Sequence, residues 1–524
     1  MTGVFVVLGL TVGPLVTIAA DGPSVIEFEV RQIVVEGPNP LSRAETDKLL
    51  QPYLGMHADL SRVEAARDAL ADTLREKGFA FYRVYLPEQK VNAGSIRLAI
   101  EPYRVDRVEV INNQYFTVDN ILLGLPQLLG ESGSPNVRKL SRNLALTNLN
   151  PAKNVHVTFS ASEAEGKVDS KVTVQDENPR QFFVWLNNTG RDDINGETRL
   201  GAGFRHANLF DRDHVVTFSY TTAPEAVDRV RQYGAQYLLP LYRVSGRLDV
   251  FFAKSDIDSG IVGDFFEVSG SGDVGGIYYT QSLISRGHYE HRWVLGIADK
   301  LFDNDVLFKG QQLGADVRSR PLQLRYFGNW TRAGKMVAYH LEWANNIDSG
   351  SNNDDLHYKL SRAGATPSWS SLKAHARAGY NIAKSKWQLQ ARLAGQISSD
   401  ALIPGEQFGL GGNSTVRGFH EREISGDEGY AVSIEIWSPY IAEKNLRLLG
   451  FFDAGEVSLN NSQPGDIDRQ SLSSLGAGVR WVWNSKVEVN ADLAHVIGGL
   501  PDDLSAATHD GDNKLHLTIV GRFR

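Results

Sequence analysis

Leu475-Gly476-Ala477-Gly478-Val479-Arg480-Trp481-Val482-Trp483 is the stretch that decides the fold class of this chain. Leu475, Ala477, Val479, Trp481 and Trp483 fall on one face of an extended strand, and Gly476, Gly478 and Arg480 fall on the other. The same two-residue period recurs. Val337, Tyr339, Leu341 and Trp343 oppose Ala338, His340 and Glu342, while Trp387, Leu389, Ala391 and Leu393 oppose Gln388, Gln390 and Arg392. Val487, Val489, Ala491 and Leu493 oppose Glu488, Asn490 and Asp492. In a soluble sandwich the apolar face would meet a second sheet and the polar face would meet solvent. Here the polar faces combine charge with glycine, and the apolar faces place large aromatics near strand ends. That is the register of a membrane barrel, with apolar residues toward lipid, polar residues toward a lumen and aromatic girdles at the interfaces.

The alternation starts at Asn178 and runs to the last residue. About 345 residues hold roughly 16 strands of ~10 residues each, with their connections. The last strand carries Leu515, Leu517, Ile519, Gly521 and Phe523 on one face, with an aromatic one place before the terminus. Long outer loops are expected around Asp256 to Gly260, Asn345 to Asp355, Asn460 to Asp468 and Asp502 to Asn513. The composition agrees: 524 residues, 50 Gly, 23 Phe, 18 Tyr and 9 Trp against 3 Met. Beyond the N-terminus no 20-residue apolar run exists, and the mean hydropathy of -0.26 excludes a helical membrane protein without excluding a barrel. The net charge of -8 argues against nucleic acid as a partner. With no cysteine there is no disulfide framework, thiolate chemistry or cysteine-ligated metal.

Ahead of the alternation the period changes to that of small α+β units. Residues 1–20 read as a signal peptide, with an apolar run from Val4 to Ile18 and small residues Ala19-Ala20, although no basic residue precedes Val4. Residues 25–102 read as strand, helix, helix, strand, strand. Ser42 with Glu45 and Ser61 with Glu64 have capping-box spacing for the two helices, and Lys77-Gly78 closes the second. Residues 103–176 repeat that order, with Thr117 and Asn120 opening a short helix and Val137, Leu140 and Leu144 lining a longer one.

Within the barrel region, Gly409-Leu410-Gly411-Gly412-Asn413-Ser414-Thr415-Val416-Arg417-Gly418-Phe419 is too rich in glycine for a helix and lacks strand alternation. It predicts a loop, spanning about 404–428, with one guanidinium at its centre. Glu406 to Gly412, Val416-Arg417-Gly418-Phe419 and Ser425-Gly426-Asp427 with Gly429 resemble the lumenal loop of two-partner secretion transporters, the TpsB family of haemolysin activation/secretion type. Phe451-Phe452-Asp453-Ala454-Gly455 resembles a second motif of that family, carried on a barrel strand whose Asp meets the loop arginine. The strand pattern is consistent with this. Leu446, Leu448, Gly450 and Phe452 form an apolar face, which turns Phe451, Asp453 and Gly455 into the lumen with Arg447 and Leu449. A lumenal carboxylate needs a cation, and Arg417 supplies a two-pronged donor. The candidate site residues are therefore Gly411, Gly412, Val416, Arg417, Gly418 and Phe419 on the loop, and Phe451, Asp453 and Gly455 on the wall.

The resemblance implies a mainly β protein of about 16 transmembrane strands (178–524) preceded by two periplasmic POTRA domains (25–102 and 103–176). It implies an outer-membrane pore that takes a large secreted partner protein, such as an adhesin or haemolysin, unfolded from the periplasm to the cell surface without ATP. The chain is expected to work as a monomer in outer-membrane lipid, with no cofactor, no metal and no nucleic acid. Only Asp21 to Val25 separates the signal peptide from the first strand, so the N-terminal plug helix of such transporters is expected to be missing. Two alternatives remain open at this point, an insertase for other barrels and a solute porin. An enzyme is disfavoured. The chain has no Gly-x-Ser-x-Gly, His-Glu-x-x-His or P-loop, and His288 and His291 are three apart, which on a strand turns them to opposite faces.

Overall fold

The computed structural model describes residues 28–524 except 58–59, 91–93, 130–132, 192–195, 256–259, 263–265, 269–270, 286, 304–306, 309–310, 313–314, 383–384, 442–444, 466–467, 485 and 502–507. The signal peptide and the Asp21 to Val25 linker, on which the absence of a plug was argued, lie outside the described residues, as do parts of three expected outer loops.

The described chain forms two compact units, divided after Arg104. In the first, a three-stranded sheet has the order Gln32–Glu36, Ser95–Pro102, Tyr82–Tyr85, the first pair parallel and the second antiparallel. Helices Arg43–Leu50 and Ser61–Glu76 cover one face, and Ala66, Leu70 and Leu74 pack on Leu98 and Ile100. Those three helical residues share a stripe at 3.6 spacing, which is why the sequence folds there as a helix against a sheet. The first capping box forms: Ser42 Oγ accepts from Glu45 N at 3.3 Å, and Glu45 Oε2 accepts from Ser42 N at 3.0 Å. The second does not. Ser61 is itself the first helical residue and Leu60 holds the cap position with no side-chain bond, because Glu64 N already bonds Leu60 O at 2.9 Å.

The second unit begins with another sheet, ordered Arg104–Ile111, Lys167–Asp176, Lys153–Ala161, and carries helices Val118–Leu123 and Val137–Thr147. Its core joins Ile121, Leu125 and Leu140 to Val155, Val172 and Val174 and continues into Ala207 and Val215 of the barrel. Polar groups are buried at the same junction. Lys153 Nζ donates to the Asp213 carboxylate and to Asn120 Oδ1, each at 2.7 Å, and the Tyr242 hydroxyl donates to Asp213 as well.

The barrel is closed and antiparallel, with sixteen strands among the described residues. The first, Arg180–Asn187, pairs with the last, Asn513–Phe523, from Thr518 opposite Asn187 to Phe523 opposite Phe182. One strand is interrupted at Arg320, dividing Val317–Ser319 from Pro321–Arg332, and both pieces pair with Tyr289–Phe302. Closure leaves no sheet edge, so every strand can satisfy its backbone within the wall. Side chains alternate as the sequence requires. On Lys335–Asn346, Leu341 and Trp343 are 46% and 44% exposed on the outside, while Glu342 and Ala344 are 7% and 2% exposed facing in. A continuous outer band of apolar side chains of this kind fits lipid and no aqueous solvent. Near the short-turn end, the Tyr289 hydroxyl lies 2.9 Å from that of Tyr326 and 2.8 Å from that of Tyr339, within an aromatic girdle. The outer connection expected at Asn345 to Asp355 leads into a short helix. Asp355–Ser361 is a helix, and the Asp354 carboxylate caps it by accepting from Leu356 N and His357 N at 3.0 and 3.1 Å. Seven residues are too few to display a helical period.

Candidate functional site

The segment joining strands Gln388–Ile397 and Glu428–Trp437 folds back into the lumen as a hairpin. Phe408–Leu410 pairs antiparallel with Ile424–Gly426, and residues 411–423 make the tip. Backbone geometry explains the glycines. Gly411 and Gly418 have φ of +109° and +101°, a region closed to most side chains. A Cβ on Gly411 would lie 2.6 Å from His420 O. Gly412 bends the chain again beside the Glu421 carboxylate. Gly455 serves by close approach instead, since a Cβ there would stand 2.5 Å from Leu410 Cδ1. Val416 and Phe419 are fully buried with Leu410, Ile424, Val457, Leu472 and Val496, so the hairpin packs on the wall through an apolar core of its own.

Arg417 lies between these two apolar anchors and is 1% exposed. Its Nε donates to Asp453 Oδ2 at 2.7 Å and its Nη2 to Asp453 Oδ1 at 2.9 Å. The backbone N of Arg417 adds a third bond to Asp453 Oδ2 at 3.2 Å. The guanidinium reaches two further carboxylates, Glu435 at 2.9 Å and Asp492 at 3.5 Å, and donates to Ser433 Oγ at 3.2 Å. Its carbon lies 3.5 Å from the centroid of the Phe451 ring, so a π face lies against the planar cation while the carboxylates meet its N–H groups. Gly418 N donates to His516 Nε2 at 2.8 Å, linking the loop to the last strand.

The surrounding charges balance. Asp492 takes a two-pronged contact from Arg480 at 2.7 and 2.8 Å, and Glu435 pairs with Arg392 at 3.2 Å. Three arginines thus face three carboxylates. A buried charge is stable only when paired and hydrogen-bonded, and Asp453, 0% exposed, takes all its hydrogen bonds among the described residues from Arg417.

Two more clamps hold the hairpin's base. Asp427 is buried and accepts both Arg362 nitrogens, together with Leu402 N and Asn460 N at 2.7 Å each. Glu406, also buried, accepts Lys300 Nζ at 2.9 Å and Ser319 Oγ at 2.8 Å. The structure thus places all nine sequence-derived candidates in one contiguous region. Glu435, Asp492, Arg480, Arg392, His516, Arg362, Glu406 and Lys300 were missed. Glu435, Asp492 and Arg480 could have been found as charges on inward-facing strand positions. Arg362 sits in a loop without a motif, and only the fold brings it to Asp427. Among the described residues no group of three or more His, Asp or Glu is arranged to hold a metal.

Comparison with known proteins agrees with both regions. The family described as haemolysin secretion/activation protein ShlB/FhaC/HecB matches residues 323–481, and the ShlB-type POTRA domain matches residues 28–102. The outer membrane transporter CdiB of Escherichia coli is 23% identical, with the match covering 98% of this chain and 84% of that protein. The solved structure of CdiB from Escherichia coli superimposes with a TM-score of 0.75 at 18% identity, covering 98% of this chain and 93% of that one. CdiB from Acinetobacter baumannii gives 0.71 at 17% identity, covering 94% and 90%.

Proposed function

The chain belongs to the two-partner secretion family of outer-membrane transporters with periplasmic POTRA domains, and from that premise we propose that the hairpin at 404–428 is the element that sets the state of its conduit. An outer-membrane transporter of this family exports a secreted partner protein. Neither an insertase nor a solute porin is favoured. The partner arrives unfolded, meets two POTRA domains at 25–102 and 103–176 in the periplasm, and adds to an exposed sheet edge as an extra strand. It then passes the lumen as an extended chain. The barrel works as a monomer in outer-membrane lipid, and partner folding outside supplies the drive, with no cofactor engaged.

The observation that carries the role of the hairpin is the burial of Arg417 among Asp453, Glu435 and Asp492. A cation held by three acidic groups fixes a loop in one position, because leaving that position gives up all three contacts together. Val416 and Phe419, the apolar anchors on either side, make that position unique. Of the nine candidates, Arg417 and Asp453 carry the electrostatic latch and Phe451 roofs it. Val416 and Phe419 seat the tip, and Gly411, Gly412, Gly418 and Gly455 permit the close backbone approach.

The test is co-expression with a candidate secreted partner protein in a host that lacks both. The full chain should deliver the partner to the medium. Residues 178–524 alone should insert as a barrel and leave the partner in the periplasm. Equal secretion by the barrel alone would refute recognition by the N-terminal units.

A further inference from the structure

Beside the hairpin the lumen keeps a cavity of about 680 Å³, lined on the wall by Arg292, Phe327, His340, His375, Arg377 and Arg392 and closed on the loop side by Ser414 and Thr415. Strand register explains how these groups come together. One rung across the wall reads Arg292, Phe327, His340, His375, each directly opposite the next. The adjacent rung reads Ala338, Arg377, Arg392, Ser433, Asp453. The imidazoles of His340 and His375 stack with centroids 4.4 Å apart, and the Arg292 guanidinium lies 4.4 Å from the Phe327 centroid.

The charges in this cavity do not cancel as those around Arg417 do. Arg377 and Arg392 are directly opposed, a juxtaposition of like charges that costs stability in a sheet. Arg392 is turned to Glu435 and Ser433. Glu290, the one carboxylate in the lining, sits two residues from Arg292 on the same strand. Arg377 is exposed to the lumen and makes no hydrogen bond or ion pair among the described residues. A surplus guanidinium and two imidazoles then face one confined volume, inside a chain whose overall charge is -8. A cleft lined by one sign of charge concentrates counter-ions through its walls.

We propose that this cavity is an anion site, which makes the lumen beside the hairpin selective for small dissolved anions over cations. Arg377 is its primary charge, with Arg292 held in place by Phe327 as the second. The proposal concerns a property of the empty pore and does not depend on the identity or route of any secreted partner.

The absence of cysteine permits a direct test in the full chain. Ala338→Cys introduces one thiol on the cavity floor, and its rates with a negatively charged sulfonatoethyl and a positively charged trimethylammoniumethyl methanethiosulfonate are measured, each relative to a free thiol. One net positive charge at several ångströms in a water-like medium predicts that the anionic reagent reacts about fivefold faster. Adding Arg377→Gln should bring the ratio close to one, and adding Arg377→Lys should preserve it, which separates charge from fold. Faster reaction of the cationic reagent overturns the proposal. So does a ratio indifferent to Arg377→Gln, and so does failure of the anionic reagent to reach the thiol.

Discussion

Replacing Arg417 with alanine and replacing Asp453 with alanine should have unequal effects, and the structure sets the inequality. After Arg417→Ala, Asp453 keeps only the backbone N of residue 417, at 3.2 Å, to compensate a fully buried carboxylate. Stranding one member of a buried pair costs about 3–5 kcal/mol. After Asp453→Ala, Arg417 still has Glu435 at 2.9 Å, Ser433 at 3.2 Å, Asp492 at 3.5 Å and the Phe451 face. That loss is nearer the cost of one charged hydrogen-bonded contact, about 1.5–3 kcal/mol. With a factor of ten per ~1.4 kcal/mol, the undocked fraction of the hairpin should rise by roughly 100- to 3000-fold in the first variant and roughly 10- to 100-fold in the second. Both losses are small beside a closed barrel, so both variants should insert and remain heat-modifiable on gels. The assays are partner secretion and single-channel opening frequency in planar bilayers. In the double-alanine variant no charge is stranded by the loss of the other, so its defect should be no worse than that of Arg417→Ala alone. If the two losses multiply, the residues act independently, and the contact is not what holds the hairpin.

Three further outcomes are expected. Arg362→Ala should loosen the base of the hairpin and raise opening frequency less than Arg417→Ala, because Leu402 N and Asn460 N still bond Asp427; an effect as large as that of Arg417→Ala would contradict this. Lys153→Ala leaves Asp213 and the Tyr242 hydroxyl facing each other in a buried junction, at a local cost of about 3–5 kcal/mol. Protease should then cut between residues 105 and 180 sooner than in the parent, while the barrel stays closed, and an unchanged digestion rate would count against the junction. In the first unit, the Lys77 ammonium and then Ser42 hold the Glu45 carboxyl well below its ordinary 4.5, at about 2. A depressed folded-state value means the contribution is present above pH 4.5 and fades as pH falls through 2. Carboxyl chemical shifts against pH for a fragment of residues 28–104 should show this, and Lys77→Ala should move the midpoint up.

What the sequence made legible follows from which periodicities survive in one dimension. The two-residue alternation of Val337 to Trp343 and Leu475 to Trp483 states which face meets lipid, and a membrane barrel leaves almost no other solution for a chain so patterned. The capping box at Ser42 and Glu45 was legible because its bonds are local, whereas that at Ser61 and Glu64 failed by one residue of helix start. Asp453 could be assigned to the lumen by parity alone. Its neighbours Glu435 and Asp492 have the same parity, yet nothing local says which of sixteen strands stand beside the hairpin. The partnership of Arg362 with Asp427 joins residues 65 apart in the chain through the packing of two loops, and no period records it. Burial of Lys153 against Asp213 is likewise a product of how the second sheet meets the barrel turns.

Residues 404–428 are proposed to occupy and restrict the lumen from a docked position. Conductance of the intact protein in planar bilayers, compared with that of a variant lacking residues 406–428, tests this most directly. Strands Gln388–Ile397 and Glu428–Trp437 pair with each other along their whole length, so a short turn can rejoin them without disturbing the wall. The variant should be a heat-modifiable barrel with a steady current well above that of the intact protein, whose openings are brief. An intact barrel whose current is unchanged by the deletion would contradict this.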